Sequence, residues 1–224
     1  MHSGRLLAIG DIHACFKTFA ELLSLVKLDK SDQCILMGDY IDRGPDSHAV
    51  LDLIMSLVGD GYNIIPLMGN HERMMQMANQ SLIDLSLWEN NGARKTMKSL
   101  NIKNPENIEK RYIDLIGTMP YFYKNDDYIF VHGGLNFKLD DPFSDTEFML
   151  WARPGEIDLQ KTDGRKLVVG HTPATIEVIN ESLGTDLIRL DGGCVYTNRL
   201  PVMGKLCCYD FTNKRLFYQN NIDE

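Results

Sequence analysis

Short apolar runs and helical stripes alternate over the first 70 residues. The apolar runs at 6–10, 33–37 and 63–67 each end at or close to a glycine, as is typical of buried parallel strands. Between them, over 16–26 and 50–58, apolar residues recur every three or four positions, which places them on one face of a helix. Ser47 is the predicted cap of the second helix, which is expected to end near Gly59. This order predicts a βαβαβ unit whose parallel sheet is covered by helices.

The middle of the chain, about residues 74–118, is predicted to be a helical insertion. It opens on a methionine-rich turn, continues with helical periodicity over 82–100, and shows a further helix start at Asn104-Pro105-Glu106. The turn contains Met74, Met75 and Met77. Methionines at this spacing could form an adaptable binding surface, but packing in the core is the favoured interpretation.

Strand patterns return after residue 128 without long helices between them. The predicted strands cover 128–132, 166–170, 176–180, 187–191, 206–211 and 215–218. Their short spacing predicts hairpins and antiparallel pairing. The whole chain, residues 1–224, is therefore expected to form a single α/β domain with a parallel first half and a mixed second half.

The composition is that of an ordinary globular protein with an acidic surface. The chain has 23 Lys and Arg against 31 Asp and Glu, a formal net charge of −8. Such a surface argues against broad binding of nucleic acid through its phosphates and against attachment to an anionic membrane. No nucleic-acid or membrane partner is therefore expected.

The cysteines and the amino terminus predict a cytoplasmic protein. The five cysteines are odd in number and contain no C-x-x-C pair, which favours free thiols in a reducing compartment. The first residues show no charged segment followed by a long apolar run, so no signal peptide is expected. No apolar stretch approaches the roughly 18 residues of a membrane span.

Glycines follow six of the predicted strands, and all but one of these strand ends also carry a potential metal ligand or catalytic histidine. Four of the six histidines, namely His13, His71, His132 and His171, lie in these segments. Open α/β sheets bind ligands beyond the carboxyl ends of their strands, so these segments are expected to form one site. The segments are Gly10-Asp11-Ile12-His13, Gly38-Asp39-Tyr40-Ile41-Asp42-Arg43-Gly44, Gly69-Asn70-His71-Glu72, His132-Gly133-Gly134, Gly170-His171-Thr172 and Asp191-Gly192-Gly193.

The types of side chain at these positions predict a centre with two metal ions. Carboxylate, imidazole and amide donors without a thiolate suit Mn²⁺, Fe or Zn²⁺. A carboxylate can bridge two ions, and a pair of ions about 3.5–4 Å apart supports in-line displacement at phosphorus. One ion would take Asp11, His13 and Asp39, and the second would share Asp39 and take Asn70, His132 and His171.

The ordered motifs GDIH, GDYIDRG, GNHE, HGG and GHT resemble those of the phosphoprotein phosphatase family, within the calcineurin-like metallophosphoesterase superfamily. The resemblance runs over residues 10–193 and is strongest to the small bacterial and phage serine/threonine protein phosphatases. It implies a sandwich of two mixed β-sheets flanked by helices, together with two divalent metal ions, of which Mn²⁺ is favoured over Fe or Zn²⁺.

The resemblance also implies a role for each site residue. Asp11, His13, Asp39, Asn70, His132 and His171 match the family's metal ligands, and Asp39 matches the bridging one. His71 matches the residue that protonates the leaving oxygen, and Asp42 the carboxylate that orients it. Arg43 matches a phosphate-binding arginine, and Arg153, in the segment Leu150-Trp151-Ala152-Arg153, is the candidate for a second.

Two positions depart from the family pattern. Ala14 stands where glycine is common, and it would be strained if the backbone there has a positive φ. Asp191-Gly192-Gly193-Cys194 replaces a more usual Asp-Thr-Gly sequence, and Asp191 is expected to be a structural residue near the site and not a ligand.

Three functions fit the motifs. The first is a metal-dependent serine/threonine protein phosphatase, with dual specificity open. The alternative is a symmetrical diadenosine tetraphosphate hydrolase, which shares the core motifs and cuts a phosphoanhydride. A scaffold without activity is the remote alternative, because such a protein would be expected to have lost a ligand, His71 or Arg43.

Overall fold

The first sheet is built from both ends of the chain. In the computed structural model, which describes residues 4–153, 155–197 and 202–223, it has the order β3-β2-β1-β8-β9. The strands β1, β2 and β3 are parallel, and β8 and β9 are antiparallel additions at the β1 edge. Their bounds are Leu6–Ile9 (β1), Gln33–Leu36 (β2), Asn63–Pro66 (β3), Lys205–Asp210 (β8) and Arg215–Asn220 (β9). The predicted βαβαβ unit is confirmed, with α1 at Phe16–Val26 and α2 at Ser47–Gly59.

The second sheet has the order β4-β5-β6-β7 and is also mixed. It consists of Phe122–Lys124 (β4), Tyr128–Val131 (β5), Lys166–Val169 (β6) and Leu187–Arg189 (β7). Only the β4–β5 pair is antiparallel, so the hairpins predicted from the short spacing are wrong for β5, β6 and β7. The connections between these three strands are crossovers that return the chain to the same end of the sheet. Two mixed sheets with flanking helices confirm the predicted fold class.

The strand predicted at 176–180 is wrong, because these residues form helix α8 at Ile176–Ser182. Thr175 caps this helix by accepting a hydrogen bond from the Val178 N–H through its side chain. Ile179 is fully buried, while Val178 is 43% exposed. Because Ile179 is the one fully buried apolar residue of this helix, no apolar stripe is visible, and its β-branched residues mimic a strand.

The predicted insertion is helical. It comprises Asn70–Met77 (α3), Leu82–Asn91 (α4), Ala93–Ser99 (α5) and Lys110–Gly117 (α6), and a further short helix, α7, follows at Thr146–Trp151. The stretch 82–100 is divided at Gly92, whose φ of +123° favours glycine. Met74 and Met75 are buried in the same core cluster as Trp88, which confirms that they pack in the core. The cap of α2 is Asp46 and not Ser47, because the Asp46 side chain accepts the Ala49 N–H.

Alternating side chains of each strand build the layers. Leu7 and Ile9 pack under the helices, whereas Ala8 between them points at the second sheet, where it joins Phe130 and Val168. Ile129 and Val131 face the opposite way and form a further cluster with Met149. The period of two along each strand therefore places one apolar layer between the sheets and one outside each of them.

The five cysteines are buried and free. Burial raises the pKa of Cys34 and of Cys207 to about 12, so both thiols stay protonated at neutral pH. In the part of the chain that the structure describes, there is no helix long and apolar enough to cross a bilayer.

Candidate metal centre

The carboxyl ends of five strands bring the predicted site residues together. Asp11 and His13 follow β1, Asp39 follows β2, and Asn70 begins α3 after β3. His132 and His171 follow β5 and β6 of the second sheet. With the exception of the partly exposed His171, these residues are at most 2% exposed. The two sheets therefore meet at a polar centre enclosed by the apolar layers described above.

Asp39 lies between two groups of potential metal ligands. In each group the nitrogen or carboxylate atoms lie within 4.8 Å of one another, and the groups are His13, Asp39 and His71 on one side and Asp39, His132 and His171 on the other. His13 Nε2 lies 3.6 Å from Asp39 Oδ2, and His132 Nε2 lies 3.4 Å from Asp39 Oδ1. Each carboxylate oxygen of Asp39 thus faces a different group, as a bridging ligand would.

Backbone carbonyls orient two of the histidines for this purpose. His13 Nδ1 lies 3.0 Å from the Ile41 carbonyl oxygen, and His132 Nδ1 lies 2.8 Å from that of Met37. A ring nitrogen at this distance from a carbonyl donates a proton, so Nε2 of each ring turns toward the centre. Histidines that bind metals are commonly held by such a contact on their other nitrogen.

Asn70 completes the second group. One terminal atom of its amide lies 2.9 Å from His132 Nε2 and 3.1 Å from His171 Nδ1. When this terminal atom is the amide oxygen, it and the two ring nitrogens are all hydrogen-bond acceptors. The three atoms point toward a common place beside Asp39. A cation at that point would satisfy all of them, and oxygen and nitrogen donors without sulfur suit Mn²⁺, Fe or Zn²⁺. The residues present therefore fit a metal ion.

The pKa shifts report how strongly the centre attracts positive charge. Burial opposes a charge on His132, yet Asp39 and Asp11 overcome it and raise the pKa of His132 to about 10. Burial likewise opposes a charge on Asp39, but His132 and His71 hold the pKa of this carboxyl well below its usual range. Protons and metal ions respond to the same negative potential, so a site that binds a proton this firmly also favours a cation.

Asp11 and Asp191 lie next to the two groups. The Asp11 carboxylate accepts the backbone N–H of His171 at 3.0 and 3.1 Å. Burial, followed by the charge of Asp191, raises the pKa of Asp11 well above its usual range. Asp191 accepts the Gly193 N–H at 2.8 Å, and burial raises its pKa to about 6. Asp191 belongs to neither group, and its contact holds the turn that follows β7.

His71 and Asp42 form a buried pair at the edge of the centre. His71 Nδ1 lies 2.7 Å from Asp42 Oδ2, both side chains are fully buried, and His71 Nε2 has no hydrogen-bond partner among the described residues. His71 Nε2 lies 3.9 Å from Asp39 Oδ2. The ring is thus fixed through one nitrogen and presents the other toward the ligand groups, as a proton donor to a reacting oxygen would.

The helical insertion holds the other side of Asp42. Trp88 on α4 donates from its indole Nε1 to Asp42 Oδ2 at 2.9 Å. Thr96 on α5 donates from Oγ1 to Asp42 Oδ1 and accepts the Asp42 N–H at 3.0 Å. Ser47 Oγ lies 2.9 Å from the same hydroxyl and can donate to it. Both oxygens of Asp42 are therefore satisfied, and the motif that contains Asp42 did not reveal these partners.

Thr96→Val is expected to lower kcat about tenfold and to destabilise the fold by about 1–3 kcal/mol, because it leaves the buried Oδ1 of Asp42 without its partner. Valine has nearly the same shape, so packing changes little. Thr96→Ser keeps the hydroxyl and should recover most of both losses. Equal values for the two variants, measured by urea unfolding and by steady-state kinetics, would contradict the role given to the hydroxyl.

The two predicted arginines occupy different positions. Arg43 is half-buried, and its Nη1 lies 2.7 Å from His13 Nε2, directly beside the first ligand group. Arg153 is exposed and follows α7. Its charge adds to the effects of burial and of His132, which lower the pKa of His171 to about 4. Both guanidinium groups therefore act on the centre, Arg43 by contact and Arg153 through its field.

Left-handed backbone is concentrated at the site. His13, Ala14, Asp39, Asp42, Arg43 and His171 all have positive φ, a conformation that costs free energy for residues other than glycine. Ala14 has φ +57°, so the strain anticipated for alanine at this position is present. Gly38 also has a positive φ, of +99°. No larger residue fits at this position, since a Cβ there would lie 2.7 Å from His132 Nδ1.

Glu72 is the site residue to which the sequence assigned no role. It is fully buried, and its carboxylate accepts the N–H groups of Asp39 and Tyr40 at 2.8 Å each and that of Ile41 at 3.3 Å. Burial, followed by the charge of Asp39, raises its pKa to about 7. Glu72 can be seen in the motif GNHE. However, a glutamate whose carboxylate binds a neighbouring loop cannot be distinguished by sequence from any other glutamate on a helix.

Two bis(5'-nucleosyl)-tetraphosphatases are similar to this chain in sequence. The chain is 28% identical over 221 residues to the asymmetrical bis(5'-nucleosyl)-tetraphosphatase PrpE of Oceanobacillus iheyensis, covering 86% of this chain and 85% of that protein. It is 30% identical over 129 residues to the symmetrical bis(5'-nucleosyl)-tetraphosphatase of Nitrosospira multiformis, covering 57% of this chain and 42% of that protein.

The fold is shared with solved structures of low sequence identity. A protein serine/threonine phosphatase from Saccharomyces cerevisiae superposes with a TM-score of 0.65 at 18% identity, covering 99% of this chain and 81% of that one. The family model for the calcineurin-like phosphoesterases matches residues 4–217. The motifs, the paired ligand groups and this match agree, and the chain belongs to the calcineurin-like phosphoesterases, hydrolases whose centre is dinuclear.

Proposed function

We propose that this protein hydrolyses dinucleoside tetraphosphates at a centre with two metal ions. The observation that carries the choice of substrate is the similarity to the asymmetrical bis(5'-nucleosyl)-tetraphosphatase, which extends over 86% of this chain and 85% of that protein. The symmetrical enzyme of N. multiformis resembles a shorter part of the chain and supports the same substrate class. This is the substrate class of the alternative that the sequence raised, the diadenosine tetraphosphate hydrolase, and not that of the protein phosphatase. The mode of cleavage, symmetrical or asymmetrical, is a separate question.

The ligands proposed for the ions are those of the sequence motifs. Asp11, His13 and Asp39 would hold one ion, and Asp39, Asn70, His132 and His171 the other, with Mn²⁺ as the proposed metal. When bound, the two ions would neutralise phosphoryl charge and lower the pKa of bound water so that it can attack phosphorus. Asp39 supports this assignment because its two oxygens face different ligand groups.

The remaining residues bind the phosphate and move a proton. Guanidinium groups pair with phosphate oxygens through two parallel hydrogen bonds, the role proposed for Arg43 and Arg153. His71 would carry a proton on Nε2 and donate it to the oxygen that leaves phosphorus, while Asp42 holds the ring through Nδ1. These side chains supply positive charge at the centre of a chain whose net charge is −8.

A comparison of substrates tests the proposal. The purified protein with added Mn²⁺ is expected to show a kcat/KM for diadenosine tetraphosphate at least about 100-fold above that for phosphoserine, phosphothreonine or phosphotyrosine peptides, a difference that site contacts can supply. Activity should disappear in excess chelator and return with Mn²⁺. A higher kcat/KM for phosphopeptides would instead support the protein phosphatase, whose present support is the shared fold.

The products separate the two modes of cleavage. ATP with AMP would indicate asymmetrical hydrolysis, and two molecules of ADP would indicate symmetrical hydrolysis. Chromatography of the same reaction mixture distinguishes them.

A further inference from the structure

A pocket opens beside the metal centre, on the side of Arg43. Its volume is about 600 Å³, within the range of small-molecule sites. Its walls come from the end of α4, the start of α5 and the turn after β7, and they include Arg43, Glu89, Gly92, Arg94, Lys95 and Tyr196. Arg43 borders both the pocket and the first ligand group, since its Nη1 contacts His13. The pocket is therefore continuous with the place where the reacting phosphate would bind.

Positive charge predominates in the pocket. Arg43, Arg94 and Lys95 line it against the single carboxylate of Glu89. Arg94 is exposed, and its side chain makes no hydrogen bond or ion pair within the described residues, so its guanidinium is available to a ligand. Lys95 Nζ donates to the Arg43 carbonyl oxygen at 2.6 Å, which keeps this cation next to the loop that carries Asp42. In a chain of net charge −8, this is a local site for an anion.

An aromatic ring forms another wall. Tyr196 is half-buried, and its ring centroid lies 5.7 Å from the guanidinium carbon of Arg43. Aromatic rings bind nucleobases by stacking with little dependence on the base. Cations next to an aromatic face, beside a phosphate-binding centre, match a nucleotide better than they match an extended peptide, which presents one phosphate and a neutral backbone.

We propose that this pocket binds the part of the substrate beyond the reacting phosphorus: Arg94 and Lys95 hold further phosphates of the chain, and Tyr196 stacks on the nucleobase. The inference rests on the proposed function and deepens it by assigning a binding site for the polyphosphate chain. A phosphomonoester would be held by the metal centre and Arg43. It would leave the Arg94 guanidinium without a partner and Lys95 with only the Arg43 carbonyl oxygen. The pocket therefore selects for polyphosphates over monoesters.

Inhibition by inorganic phosphates tests this assignment without a nucleotide. Hydrolysis of p-nitrophenyl phosphate is measured with inorganic tripolyphosphate or orthophosphate as inhibitor, at a fixed concentration of free Mn²⁺. Arg94→Ala and Lys95→Ala should each raise the inhibition constant of tripolyphosphate about tenfold, the usual effect of losing a charged hydrogen bond, and change that of orthophosphate less than about twofold. Lys98→Ala, which removes the same charge from an exposed position of α5, is the control and should change neither.

Tyr196 is tested with the nucleotide. Tyr196→Ala should raise KM for diadenosine tetraphosphate about tenfold, while Tyr196→Phe, which keeps the ring, should restore it. If tripolyphosphate inhibition does not respond to Arg94→Ala and Lys95→Ala, the pocket does not bind the phosphate chain, even where diadenosine tetraphosphate is hydrolysed. If inhibition responds but diadenosine tetraphosphate is not hydrolysed, the pocket stands and the proposed function fails.

Discussion

Replacing His71 with asparagine is expected to lower kcat by about 10²- to 10⁴-fold, the usual contribution of a general acid, without loss of bound metal. The ring is held by Asp42 through Nδ1, and Nε2 is buried without a partner among the described residues, so it can carry a proton to the leaving oxygen. Asparagine can keep a hydrogen bond to Asp42 but cannot donate a proton at neutral pH. Steady-state kinetics and metal analysis of the same preparation measure the two effects.

The metal content decides between two roles for His71. Its nitrogen lies within 4.8 Å of the ligand atoms of His13 and Asp39, so the geometry alone also admits it as a ligand. A variant that loses metal together with activity would place His71 among the ligands and remove it as the acid. His48→Asn is the matched control, because His48 is a solvent-accessible histidine on α2 outside both ligand groups. It should leave kcat and metal content unchanged.

Replacing Glu72 with glutamine is expected to lower the free energy of unfolding by about 2–4 kcal/mol and to reduce the affinity for metal. The carboxylate accepts three backbone N–H groups from 39–41 with its two oxygens. Glutamine must turn an NH₂ group toward one of them, so two donors face each other in a buried place. The loop that carries Asp39 then loses its support, and with it the bridge between the two ligand groups.

Urea unfolding and metal titration measure the effect of Glu72→Gln. Glu21→Gln on the exposed face of α1 makes the same change of charge and should alter neither property. A variant as stable as the parent, with unchanged metal affinity, would show that Glu72 does not hold the Asp39 loop.

The order of the elements could be read from the chain because each depends on local patterns. Parallel strands leave apolar runs, and helices leave stripes every three or four residues, so β1 to β3 with α1 and α2 were predicted closely. The second sheet was harder, since the pairing of β5, β6 and β7 is determined by crossovers and not by the spacing of strands. The residues of helix α8 predict a strand, because only one of its apolar residues is fully buried and no helical stripe results.

The motifs alone are enough to nominate candidates for the chemistry, because these residues stand at strand ends, where any parallel sheet gathers them: Asp11, His13, Asp39, Asn70, His71, His132 and His171. The groups that hold these residues in place depend on how the chain packs. Glu72 binds the Asp39 loop, Trp88 and Thr96 hold Asp42, and Arg94 and Lys95 line the pocket beside Arg43. These contacts join residues far apart in the chain, and no local pattern encodes them, because a hydrogen bond between distant segments forms only when packing brings its two ends together.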